Sequence, residues 1–114
     1  MLTFNLIEIN SEINRIALSG RLDAAGASQI ELPFTAIVSG GGRHVALDLT
    51  EVDFVASLGL RLLLSNARVL QRRERKLVIY GAQPEVMEVF ETVALGSLIP
   101  VVQTQAEAAA ALAG

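Results

Sequence analysis

Two short runs of almost unbroken apolar residues, HVALDL at His44–Leu49 and LVIYG at Leu77–Gly81, flank a long amphipathic segment that starts near Ser57. Within that segment Leu60, Leu63, Leu64, Ala67 and Leu70 follow the i, i+3, i+4, i+7 rule, which predicts a helix with one continuous core stripe. A strand with little polar alternation is the kind covered by helices on both faces. Strand, helix and second strand of this type return to one sheet through a crossover, so the two strands run parallel.

The flanking segments extend the same plan. In LTFNLIEI, Leu2, Phe4, Leu6 and Glu8 alternate with Ile7 and Ile9. INRIALSG follows after the polar turn NSE, which predicts an antiparallel opening pair. GRLDAAG is expected to end the second strand, with Asp23 placed to cap a helix from about Ala25 to Ser39. Ile30, Phe34, Ile37 and Val38 mark its buried side, Pro33 is expected to bend or split it, and the glycines at 40–42 end it. TEVD at 50–53 reads as a loop after the third strand. PEVMEVFETVALG predicts a helix with Pro84 in its first turn and Gly96 as terminator. SLIPVVQT predicts a last short strand, and Thr104 with Glu107 forms a capping box for a closing helix. The order β-β-α-β-α-β-α-β-α predicts an α/β fold: a mixed, mostly parallel sheet with packed helices, forming one domain over residues 1–114. With 52% hydrophobic but only 4% aromatic residues, its core must be built from Leu, Ile, Val and Ala.

Several function classes drop out. The chain has no cysteine and a single histidine, His44, which removes thiolate chemistry and cysteine- or histidine-rich metal sites. Asp48, Glu51 and Asp53 are acidic neighbours without ligand spacing, so the expectation is a solvated loop in which Asp48 accepts backbone N–H groups, with no metal and no cofactor. ASLGL lacks the glycine of a nucleophile elbow, and His44 starts its strand at the end away from Ser57, which argues against a Ser-His-Asp triad. SGGGRH does not have phosphate-loop spacing. The expectation is a protein that is not an enzyme.

Arg68, Arg72, Arg73, Arg75 and Lys76 cluster without interleaved aromatics, and cations gather where a helix ends. With the net charge of −3, this argues against nucleic acid as a direct partner. No basic leader opens the sequence, and VALGSLIPVV falls short of the ~18 apolar residues of a span, so a soluble cytoplasmic protein without membrane insertion is expected.

Ser57 admits two readings. As a cap, its oxygen accepts from Gly59 or Leu60 N–H. As a modification site, it offers a hydroxyl where free N–H groups and the macrodipole favour an anion, with Gly59 keeping a β-carbon away from an incoming group. A phosphate there would bring close to two negative charges to a small apolar surface. Leu58, Leu62 and Val69 lie beside the core stripe with Arg61 and Arg68 flanking them. Leu58, in the exposed first turn, is the best interface candidate.

GRLDAAGA, VALDLTEVDFVASLGLRLLL and KLVIYGAQPEVMEVFETVALGSLIPVVQTQAEAAAAL resemble the successive blocks of a STAS domain, the fold of bacterial anti-sigma factor antagonists. The resemblance implies a mixed sheet with packed helices. It also implies a switch: an antagonist that binds an anti-sigma factor serine kinase, frees a sigma factor, lets go when phosphorylated and is reset by a serine phosphatase. In the family signature Asp-Ser-Ser/Thr-Gly-Leu, the phosphoacceptor falls on Ser57, and the glycine and leucine on Gly59 and Leu60. The partner-facing acid of the G-x-L-D block falls on Asp23. Ala56 stands where the family usually has aspartate, and Leu58 where it has a second hydroxyl residue. The implied partner surface joins Asp23, Asp53, Ala56, Ser57, Leu58, Gly59 and Arg61. The alternative is a constitutive STAS adaptor subunit of a larger assembly, such as a transporter ATPase or signalling complex, without phosphoregulation.

Overall fold

The structure, a computed structural model, describes residues 2–113 and leaves the side chain of Glu8 outside that description. Its elements are β1 (Thr3–Glu8), β2 (Ile13–Leu22), α1 (Ala24–Gly41), β3 (His44–Val55), α2 (Ser57–Arg72), β4 (Leu77–Tyr80), α3 (Pro84–Thr92), β5 (Val101–Val102) and α4 (Gln105–Ala113), with a 3-10 turn at Leu95–Ser97. The expected order holds throughout. One five-stranded sheet is ordered β1-β2-β3-β4-β5, antiparallel between β1 and β2 and parallel elsewhere.

Strand alternation divides the apolar residues between two layers. Ile16, Leu18, Leu47, Leu49 and Ile79 point to the face covered by α1, α2 and α3, where they meet Ile30, Phe34, Leu63, Leu70 and Phe90. Ile13, Ala46, Val78 and Tyr80 point to the other face, where Ala108 and Leu112 of α4 cover them. The central strands are thus buried on both sides, as their composition requires. β1 lies at the sheet edge: Leu2 is buried and Phe4 packs on the core, but Leu6, Ile7 and Ile9 are exposed.

Four local expectations fail for identifiable reasons. β2 does not stop at Gly20. It shifts register between Ala17 and Ser19 and again between Gly20 and Arg21, with Gly20 at φ 116°, and pairing continues to Leu22. The glycine makes a bulge, not an end. Thr50–Asp53 is consequently strand and not loop, because the continuing β2 supplies its hydrogen bonds and Val52 and Val55 gain burial in the core. α1 runs unbroken through Pro33. Both Pro33 and Gln29, whose carbonyl the ring deprives of a donor, lie on the exposed side, where a freed carbonyl carries little desolvation cost. α3 ends at Thr92, where Val93 serves as C-cap and Ala94 turns left-handed at φ 54°, so Gly96 sits inside the following 3-10 turn. The remaining punctuation stands: Gly42 closes α1 at φ 63°, Pro84 opens α3, and Glu107 N–H donates to Thr104 Oγ1 at 3.1 Å.

Candidate functional site

β2 and β3 finish side by side, Leu22 opposite Val55, and a helix begins directly after each. At the start of α1, Asp23 adopts extended backbone and its carboxylate accepts from Gly26 N–H at 2.8 Å, the expected cap. A β-carbon on Gly26 would collide with the Arg21 carbonyl oxygen. One on Gly59, in the first turn of α2, would stand 2.7 Å from Leu22 Cγ and 2.8 Å from the Leu22 oxygen. Both helices therefore sit on the end of β2 more closely than a side chain permits. This corrects the role expected of Gly59: it is buried against Leu22 and clears no space for an incoming group.

α2 starts differently from α1. Its N-cap is Ala56, whose methyl can accept no hydrogen bond. Ala56 N–H donates to the Leu22 carbonyl at 2.9 Å, and Leu60 N–H closes the first helical bond to Ala56 at 3.0 Å. Strand pairing thus fixes where the helix begins, and it leaves Ser57 as the first helical residue instead of the cap. The capping reading of Ser57 is corrected accordingly. Its side chain is exposed beside first-turn N–H groups that have no intrahelical partner and carry the positive end of the helix dipole.

Two grooves run along α2. One, against α1, is lined by Ala27, Ser28, Glu31, Leu58 and Arg61. The other, against α3 and the 3-10 turn, is lined by Ser57, Leu60, Arg61, Arg68, Val93 and Leu98. Arg61 stands between them. Leu58 is 44% exposed, in keeping with an interface residue. Leu62 is not: it is buried with Leu63, Ala67 and Leu70, while Leu60 and Leu64 are only half-buried, so the stripe is rotated from the one expected. Asp23, Ala56, Ser57, Leu58 and Arg61 thus belong to one end of the molecule, with exposed Asp53 two residues before the end of β3.

Two residues at this end escape a sequence reading. The Arg21 guanidinium lies 4.4 Å from the Phe54 ring centroid, and its Nε is 3.7 Å from the Asp23 carboxylate. Phe54 is 40% exposed, so this stacked pair forms part of the surface beside the cap. The available signal is an aromatic, rare in this chain, directly after the TEVD segment at 50–53.

The other candidate chemistry is dispersed. His44 begins the twelve-residue β3, at the end opposite α2, and its Nδ1 accepts from Lys76 N–H at 3.0 Å. Burial, aided by Arg75 and Lys76, pushes its pKa below the ordinary value. It cannot meet Ser57. Asp48 is buried, accepts from Thr50 N–H and hydroxyl at 2.9 and 2.7 Å, and pairs with Arg15 at 3.0 Å. Burial alone would raise its pKa, but these donors together hold it below the ordinary value. Among the described residues, no three His, Cys, Asp or Glu side chains are grouped to hold a metal ion, and no helix is long and apolar enough to cross a membrane. The basic cluster serves α1 as well as α2: Arg73 donates to the Ser39 carbonyl and Arg75 to that of Gly42, at 2.9 Å.

Comparison with known proteins matches residues 6–101 to a family model described as "Mlab, STAS domain". The chain is 39% identical over 94 residues, 82% of its length and 81% of the relative's, to BtrV of Bordetella bronchiseptica, a candidate anti-sigma factor antagonist. An anti-sigma factor antagonist from Mycobacterium paratuberculosis superposes with a TM-score of 0.89 at 19% identity, covering 100% of this chain and 96% of that one. The phosphorylated form of the Bacillus cell fate determinant SpoIIAA gives 0.71 at 24% identity, covering 93% and 96%.

Proposed function

The chain belongs to the STAS domain family, and from that premise we propose that it is an anti-sigma factor antagonist: a cytoplasmic, non-enzymatic protein that binds an anti-sigma factor serine kinase and thereby releases a sigma factor. Phosphate on Ser57 ends the complex, and a serine phosphatase restores it. One observation carries this reading: Ser57 presents its hydroxyl at the first position of α2, exposed, with Ala56 and not Ser57 in the cap. A hydroxyl spent on capping would be protected from a kinase; this one is not. Asp23, Asp53, Leu58 and Arg61 form the rest of the docking surface, while Ala56 and Gly59 set the helix start that displays them. A dianion placed in that surface opposes docking through repulsion and desolvation.

The test is affinity capture from the native cell with wild type, Ser57→Ala and Ser57→Asp. Wild type and Ser57→Ala are expected to retain the same partner, and Ser57→Asp to lose it. A second reading, a constitutive adaptor docked through Leu58, draws on the 44% exposure of that side chain and on alanine at position 56, which offers no carboxylate to orient the hydroxyl. It requires equal capture by all three proteins and loss of capture in Leu58→Asp.

A further inference from the structure

Resting on the reading of Ser57 as a phosphate acceptor, we propose that Arg61 binds that phosphate within the same chain and is thereby withdrawn from the docking surface. Phosphorylation then acts twice, adding negative charge at Ser57 and removing the cation that the partner would meet. Ser57 and Arg61 line one groove and lie four residues apart on α2. Residues at this spacing have β-carbons about 5–6 Å apart, and helical side chains lean toward the N-terminus, so Arg61 reaches back over Ser57. Anion first and cation four residues later is the favourable order on a helix. A guanidinium can give a phosphate two parallel hydrogen bonds.

The surroundings leave Arg61 available. Arg15, Arg21, Arg73 and Arg75 each have a carboxylate or carbonyl partner, whereas Arg61 makes no hydrogen bond or ion pair among the described residues. Glu31 shares the α1 groove with Arg61 but forms no ion pair with it. The groove on the Ser57 side is lined by no carboxylate, its charged members being Arg61 and Arg68. Ala56 places none beside the hydroxyl. Arg68 is eleven residues from Ser57, about 16 Å along the axis at 1.5 Å per residue, and so is an internal control beyond reach.

The experiment uses the full chain with phosphoserine installed at position 57 during translation, so that no kinase is needed. The second ionisation of the phosphate is followed by phosphorus NMR in otherwise wild-type protein, Arg61→Gln and Arg68→Gln. The phosphate is expected to titrate roughly half a pH unit lower in wild type than in Arg61→Gln, with Arg68→Gln matching wild type. Coincident titrations of wild type and Arg61→Gln, or a shift that follows Arg68→Gln, would overturn the assignment. Partner capture by Ser57→Asp reads the switch separately, so either idea can fail while the other stands.

Discussion

α1 and α2 follow two neighbouring strands, are both seated on the end of β2 by buried glycines, and yet begin in opposite ways. α1 is closed: Asp23 caps it, and Arg21 crosses from the Asp23 carboxylate to the Phe54 ring. α2 is open: Ala56 caps nothing, and the next residue is an exposed serine. The seating serves position, while the missing cap costs stability and keeps the helix start accessible. Local stability is given up at the helix start that carries the exposed serine, as it often is at functional sites.

The seating carries the largest expected effect. Gly59→Ala and Gly26→Ala each drive a β-carbon into β2, with a backbone oxygen among the atoms met, and the Leu22 oxygen met from Gly59 also accepts from Ala56 N–H. Each should cost about 3 kcal/mol, seen as a lower urea midpoint with an unchanged slope. A loss below about 0.5 kcal/mol in either would show that the helices are not held so closely.

Next comes a carboxylate that is held from several sides. Asp48 is buried, accepts twice from Thr50 and pairs with Arg15 at 3.0 Å, closer than the 3.7 Å between Asp23 and Arg21, and Asp48→Asn should lose about 1–2 kcal/mol at neutral pH. Because its folded pKa lies below the ordinary 3.8, wild type should keep its full advantage above that value. The advantage should disappear as the pH falls through the lower folded value. Chemical denaturation of both proteins from pH 6 down to pH 2 checks the sign, and a constant difference would contradict it.

The caps themselves give smaller changes of opposite sign. Asp23→Ala should destabilise by about 1 kcal/mol, since Gly26 N–H loses its acceptor. Ala56→Asp should stabilise by about 0.5–1 kcal/mol, because a carboxylate there meets free N–H groups and the positive end of the dipole. Thermal melts of the two single variants read both. If Ala56→Asp fails to raise the melting temperature, α2 is not open in the sense described.

Much of the fold was legible because its signals are local. Asp23 three residues before Gly26, Pro84 in a first turn and Thr104 three residues before Glu107 each involve neighbours within one turn of helix, and each stands as read; the stripe gave the helix α2 itself, though its buried side is turned toward Leu62. The site was legible in part: Ser57, Leu58, Arg61 and Asp23 do gather at one end, but the mutual support of Arg21 and Phe54 was hidden. Those two are far apart along the chain and meet only because β2 and β3 pair beyond the bulge, with Arg21 opposite Phe54. Asn66 was missed for a similar reason. It is polar, yet it lies at i+4 from Leu62 and i−4 from Leu70 and is buried with them, its amide donating to the Leu62 carbonyl at 2.9 Å.

The amino-acid sequence by itself determined the order of the elements, the parallel crossover and the layers that had to be apolar, since periodicity and turn chemistry act over a few residues. Tertiary structure alone decided how far β2 and β3 run, that Ala56 and not Ser57 is the cap residue of α2, that Gly59 faces β2, and which leucines of α2 are inside. Those outcomes depend on hydrogen bonds and packing offered by a partner segment, and no residue carries a record of its partner in its own neighbours.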